Sequence, residues 1–193
     1  EYSYFLGNAD VTFDKDGVLT SWDQNLIDLD AQDENGNYLI EENTVASERL
    51  AKLAEPIEEL KNVIVGESSV FLNGERDDVR TKETNLGNLI ADGMLWRAQE
   101  QNTGATIAIQ NAGGIRASID QGEISLGEVL TVLPFANTLV TLDLTGQEII
   151  EALENGVSQV EDIAGRFPQV AGLKFGYDPN QPAGSRIHSV EVQ

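Results

Sequence analysis

The segment Ile109-Gln110-Asn111-Ala112-Gly113-Gly114-Ile115-Arg116 joins an apolar run to two adjacent glycines and an arginine. Glycine lets backbone N–H groups approach a ligand closely or adopt positive φ. Arginine supplies a permanent cation with a planar, multi-donor head. Asn111, Gly113, Gly114 and Arg116 thus form a candidate cradle for phosphate or another polar ligand, with a plain glycine-rich turn as the competing reading. A second cationic group, Arg76, Arg80 and Lys82, precedes the helix-like segment that starts at Asn85. Backbone amides at a helix start also favour anions, and an arginine pair joined by Arg116 could hold a phosphate bidentately. The same arginines could instead pair with Asp77, Asp78 and Glu83 on the surface. Leu133-Pro134-Phe135-Ala136-Asn137 sets an aromatic beside a proline, either as a stacking platform for a flat ring or as a core residue. Arg166, in Gly165-Arg166-Phe167-Pro168-Gln169-Val170, reads as structural.

The charge balance makes these cations notable. The chain of 193 residues has 33 Asp plus Glu against 12 Lys plus Arg, a formal net charge of −21. Such a field disfavours nucleic acid and anionic membranes, so an anionic ligand needs local compensation. With 40% apolar residues the chain can bury a core, and no apolar run approaches the ~18–20 residues of a membrane span. The absence of cysteine excludes a disulfide scaffold and a thiolate metal site. His188 is the one histidine, too few for a hydrolytic centre of converging His and carboxylate ligands. No nucleophile elbow, P-loop or dinucleotide fingerprint is present. These residues describe a binding element rather than a complete catalytic site.

The elements that must position them are legible in outline. Residues 1–45 hold 11 acidic residues and one lysine. In them Asp14-Lys15-Asp16-Gly17 reads as a hairpin turn and Asp33-Glu34-Asn35-Gly36-Asn37 as a second turn. Neither has the full spacing of a calcium loop. A helix is expected over 44–61, capped by Thr44 or Ser47 and kinked or divided at Pro56. One or two strands follow over 62–72, then a helix over 85–101 with an apolar stripe, and a buried strand over 105–110. Ser125-Leu126-Gly127-Glu128 and Thr145-Gly146-Gln147-Glu148 match the capping box, the second opening a helix to about Val157. Strands are expected over 138–144, 169–175 and 185–192. Glu1 opens the chain without methionine and Gln193 closes it in a strand pattern, so an excised or truncated segment is expected.

Taken in order, Glu83-Thr84-Asn85-Leu86-Gly87-Asn88-Leu89, Asn111–Arg116, Leu133–Asn137, Leu144-Thr145-Gly146 and Gly165–Val170 resemble the C-terminal, substrate-binding domain of the 5'-nucleotidase family. These are secreted or periplasmic enzymes related to UDP-sugar hydrolase and 2',3'-cyclic-nucleotide 2'-phosphodiesterase. The resemblance covers about residues 62–193, truncated at the C-terminus. Residues 1–43 resemble the last strands of the family's metallophosphatase domain, and 44–61 its interdomain helix. The implied fold is mixed α/β, α+β-like, with mixed sheets and flanking helices.

The implied function is nucleotide recognition for a metal-dependent phosphoester hydrolase. Its two divalent metal ions and catalytic His/Asp residues would belong to the missing upstream domain. No catalytic and no metal-binding residue is expected in this chain, which alone would be inactive. Carried over by position, Arg76, Arg80 and Arg116 would contact phosphate or ribose, Asn111 would approach the base, and Phe135 would form one face of an aromatic sandwich. Gly113, Gly114 and Asn137 complete the implied substrate-binding set. The family's second aromatic comes from a Gly-Gly-Asp-Gly segment that this sequence lacks, which would leave the pocket open. The resemblance also implies a nucleotide as partner, with neither nucleic acid nor membrane. It implies a bacterial periplasmic, secreted or cell-surface location, and a hinge near 44–61. Alternatives are a non-catalytic nucleotide- or surface-binding protein, or a family member acting on 2',3'-cyclic nucleotides, UDP-sugars or a sulfur compound.

Overall fold

Asp14 spends its carboxylate on its own turn: Oδ1 accepts from the backbone N–H of Asp16 at 2.8 Å and of Val18 at 3.0 Å. Gly17, at φ +79°, completes the reversal. The flanking runs therefore pair as an antiparallel hairpin, β1 (Phe5–Phe13) with β2 (Leu19–Asp28), with Val11 opposite Trp22. Asp33 does the same in the second turn, accepting from Asn35 and Asn37. Both acidic turns are plain Asx-type turns. The computed structural model describes residues 4–193, so the expectation drawn from Glu1 lies outside the described residues. Contacts divide the chain into two units, Glu1–Glu55 and Pro56–Gln193.

Helix α1 (Thr44–Lys61) continues past Pro56 and is not divided there. Its first turn is capped by Asn43, whose Oδ1 accepts from Ala46 N–H at 3.0 Å, rather than by Thr44 or Ser47. In the second unit three antiparallel strand pairs frame the core: β3 (Ile64–Ser68) with β5 (Gly122–Ser125), β4 (Ala108–Asn111) with β6 (Pro168–Ala171), and β7 (Leu173–Tyr177) with β8 (Ile187–Val192). Packed with them are the single turn α2 (Arg76–Val79), α3 (Asn85–Glu100), α4 (Leu126–Val132) and α5 (Gly146–Val157). Both capping boxes form as read, at Ser125/Glu128 and Thr145/Glu148. Thr84 caps α3 by accepting from Gly87 N–H. Val79, Leu86, Ile115, Val157 and Phe167 are buried in one cluster, and Ala91, Ala108 and Ala171 let α3 lie close against β4 and β6.

Two strand expectations are corrected. Residues 138–144 form no strand: Val140 and Leu142 are 69% and 75% exposed, and no described segment pairs with this run. Alternation suits a pleated surface, but a strand needs a ladder partner. Of the one or two strands expected over 62–72 one forms, β3, and Leu72 beyond it makes a single bridge to Ile119. The run over 169–175 breaks at Gly172, whose φ of +74° turns β6 into β7.

A clasp of one buried arginine and an exposed glutamate joins α5 to β8. Arg186, 5% exposed, donates twice to Glu161 at 2.8 Å and once to Val157 O at 2.6 Å. The backbone N–H groups of Arg186 and Ile187 donate to Glu154. The hydrogen bonds from Arg186 hold the Glu161 carboxyl down from 4.5 to about 2. Because the folded value lies below the unfolded one, this stabilisation is fully present above the ordinary glutamate range and is lost as pH falls from about 4.5 through about 2. Thermal melts of Glu161→Gln should accordingly show a lower Tm than the parent at neutral pH, converging with it toward pH 2; a constant gap would place the difference elsewhere.

Candidate nucleotide-binding site

The glycine segment sits where two backbones cross. Beyond β4, Ala112 N–H donates to Phe167 O at 2.8 Å and Gly113 N–H to Gly165 O at 2.7 Å. These two bonds carry the pairing past Pro168, which has no N–H to give. A Cβ on Gly113 would lie 2.9 Å from Gly165 O, and one on Gly165 would lie 2.9 Å from Gly113 Cα. Each glycine is required by the other. Asn111 braces the crossing, donating from Nδ2 to Gly165 O at 3.4 Å.

Arg80 and Arg116 both reach this crossing. A Cβ on Gly165 would lie 3.7 Å from Arg80 Cζ, and Arg80 Nη1 donates to Ile163 O at 3.3 Å. Ile163 holds the left-handed conformation (φ +53°), which is unusual for a β-branched residue. Arg116 Nη1 reaches Gly113 O at 3.4 Å. Burial first, and then the charges of Arg76 and Arg116, push Arg80 below the ordinary guanidinium range, with Asp77 opposing. Arg80 therefore feels the like charges of both Arg76 and Arg116.

The surface pairs open to Arg76 and Arg80 in the sequence do not form. Among the described residues neither has a carboxylate within ion-pair distance. Asp78 is taken by Lys82 at 2.7 Å and by Asn73, and the Lys82 hydrogen bond above all lowers its carboxyl. Glu83 accepts from Asn88, and Glu75 from Ser118. Buried Arg80 Nε has no partner among the described residues, a donor arrangement suited to an incoming anion.

Phe135 is 51% exposed, so its core reading is set aside. Arg116 Cζ stands 5.8 Å from the ring centroid, within cation–π range. Beside the ring lies a cleft of about 220 Å³ walled by Ile90, Met94, Gln110, Gly114, Leu133 and Asn137, among others. A larger groove of about 480 Å³ follows β6 and β7 and includes Lys82 and Lys174 but none of the three arginines. The smaller cleft is lined by none of them either, but it shares Gly114 with the glycine loop and Phe135 with Arg116. Asn137 is on its wall, whereas Asn111 is placed at the glycine crossing. Arg166 Nη1 donates to Asn155 and Ser158, as a structural residue would.

The family model described as 5'-nucleotidase, C-terminal domain, matches residues 64–193. The chain belongs to the 5'-nucleotidase family. Its mixed helices and small sheets are those of a 5'-nucleotidase C-terminal domain. It is 50% identical over 193 residues to the trifunctional nucleotide phosphoesterase protein YfkN of Bacillus subtilis, covering 100% of this chain and 13% of that protein. With the snake venom 5'-nucleotidase of Naja atra it shares 32% identity over 200 residues, covering 99% of this chain and 36% of the relative. The crystal structure of the 5'-nucleotidase precursor from Thermus thermophilus superposes with a TM-score of 0.73 at 47% identity, over 100% of this chain and 36% of that one. This 5'-nucleotidase C-terminal domain thus spans about a third or less of the length of these relatives.

Sequence reasoning passed over Gln169, Tyr177 and Ile163, which support the arginine segment from a distance. Only Gln169 carried a local signal, as an amide in an otherwise apolar strand.

Proposed function

We propose that this chain recognises the nucleotide for a metal-dependent 5'-nucleotidase-type phosphoester hydrolase. In this reading residues 1–43 close a preceding metallophosphatase domain, 44–61 form the linker, and 62–193 bind substrate. The observation that carries it is the placing of Arg80 and Arg116 at one glycine crossing, with Arg76 one helical turn before Arg80 and none of the three in an ion pair among the described residues, in a chain of net charge −21. Phosphate is the ligand chemistry that relieves neighbouring guanidiniums. The cleft next to Phe135 supplies a ring for the base to stack on, with Asn137 and Gln110 as amide partners and Gly114 in its wall. Gly113 keeps the loop closed against Gly165, and Asn111 braces it.

Among the described residues no group of three or more His, Cys, Asp or Glu is placed to hold a metal ion. The residues present do not fit a metal centre, and no metal-borne step is assigned to them. In this reading the two divalent ions of the enzyme belong to a portion that this chain does not span, so the isolated chain, its pocket open on the side of the second aromatic, binds nucleotide weakly or not measurably and does not hydrolyse it. A periplasmic, secreted or cell-surface location is in keeping with the venom relative. No described helix is long and apolar enough to cross a membrane, and the negative field opposes nucleic acid.

Phosphate release by the intact enzyme from nucleoside monophosphates, 2',3'-cyclic nucleotides and UDP-glucose identifies the substrate. In the same assay Arg116→Ala should raise KM by about 10- to 150-fold, the loss of a charge-assisted contact of roughly 1.5–3 kcal/mol. Unchanged kinetics would remove Arg116 from the site.

A further inference from the structure

Gln169 is 1% exposed, yet its amide is fully used. It belongs to β6, and all its partners lie in the segment that carries Arg80. Nε2 donates to Val79 O at 2.8 Å and to Lys82 O at 2.8 Å, while Oε1 accepts from Thr84 N–H at 3.3 Å. The side chain passes over Gly87, where a Cβ would occupy its place. From β7, Tyr177 donates its hydroxyl to Thr81 O at 2.8 Å, its ring fixed edge-on against Phe167 at 5.9 Å. Val79 O precedes Arg80, and Thr81 O and Lys82 O follow it. The carbonyls on either side of this arginine are therefore held by side chains rather than by a ladder.

That arrangement matters because the residues between α2 and α3 belong to no helix or strand: the N–H groups of Arg80, Thr81 and Lys82 bond back to α2, at Arg76 O and Asp78 O, and the carbonyls depend on the side chains of Gln169 and Tyr177. Arg80, left mobile, would swing away from Arg76 and Arg116 under like-charge repulsion. Its guanidinium would then have to be brought back on binding, at a cost in ordering.

We propose that Gln169, assisted by Tyr177, is a positioning residue for the anion-binding arginines: it locks the backbone of residues 79–82 so that Arg80 stays aimed beside the Gly113–Gly165 crossing. The inference rests on the nucleotide reading above and assigns the preorganisation of its phosphate subsite.

The test uses the intact enzyme carrying this chain, with kcat and KM for a nucleoside 5'-monophosphate and Ki for the matching nucleoside, which lacks phosphate. Gln169→Met keeps the volume and removes the amide. It should raise KM by about 10-fold and leave kcat and the nucleoside Ki within roughly 2-fold, since only the phosphate subsite is loosened. A parallel rise in Ki shows general loosening and overturns the positioning role, as does an unchanged KM. Arg116→Ala, run alongside, separates the two readings. If it raises KM while Gln169→Met does not, only the positioning role falls; if Arg116→Ala has no effect, the phosphate subsite itself falls and the inference with it. Where Gln169→Met does not fold, Tyr177→Phe is read by the same split. Deleting one hydroxyl should raise KM by about 3-fold with Ki unchanged, and no rise overturns the role.

Discussion

Gly165→Ala should destabilise the second unit by about 2–3 kcal/mol, the range expected for forcing a methyl into a packed site. The added Cβ meets backbone, 2.9 Å from Gly113 Cα, and a backbone cannot rotate aside as a side chain can. Relief requires the two segments to part, which lengthens the 2.7 Å bond from Gly113 N–H to Gly165 O and draws the Asn111 brace with it. Arg80, whose Cζ lies on the same side, and Arg116, tied to Gly113 O, then lose their common anchor. Denaturant titration of the intact protein gives the stability change, and KM for nucleoside monophosphate should rise with it. Gly93→Ala is the control: nothing lies within 4 Å of that helical position, so a small gain of up to about 1 kcal/mol is expected. Equal behaviour of the two variants would mean that the crossing tolerates a side chain.

Apart from the cap of α1, which is Asn43, local chemistry was readable in the sequence and distant chemistry was not. Asp14, Asp33, Ser125 and Thr145 each satisfy backbone groups within a few residues, so their turns and caps followed from residue type and spacing alone. The strand expected over 138–144 failed because its residues were right while the ladder partner, a non-local matter, was not there among the described residues. The break at Gly172 has a steric cause no pattern reveals: a Cβ there would collide with Thr106 O, across the β4–β6 pair. Of the site, the arginines and Phe135 were legible as a set of motifs. What holds them was not, because Gln169 reaches Val79 across 90 residues and Tyr177 reaches Thr81 across 96. Periodicity also assigned Arg186 to a strand with no hint that its guanidinium turns inward to Glu161.

Phe135→Ala should cost the nucleoside part of the ligand about 1–3 kcal/mol, the usual worth of a base stacked on an aromatic ring. The ring is half exposed although it is large and apolar, and the walls of its cleft include Ile90, Met94 and Leu133. A flat base laid against it would bury apolar area on both partners, which the unliganded ring does not achieve. Truncation also removes the surface over which Arg116 stands at 5.8 Å, and an exposed cation–π contact is worth only about 0.5–1 kcal/mol. The two contributions separate by ligand. Nucleoside Ki should rise roughly 5- to 150-fold, whereas inhibition by inorganic phosphate, which meets the arginines alone, should weaken by no more than about 5-fold. Phe135→Tyr keeps the ring and should retain both affinities. Equal losses for nucleoside and phosphate would make Phe135 a support for Arg116 rather than a platform for the base, and no loss of nucleoside affinity would move the base to another wall of the cleft.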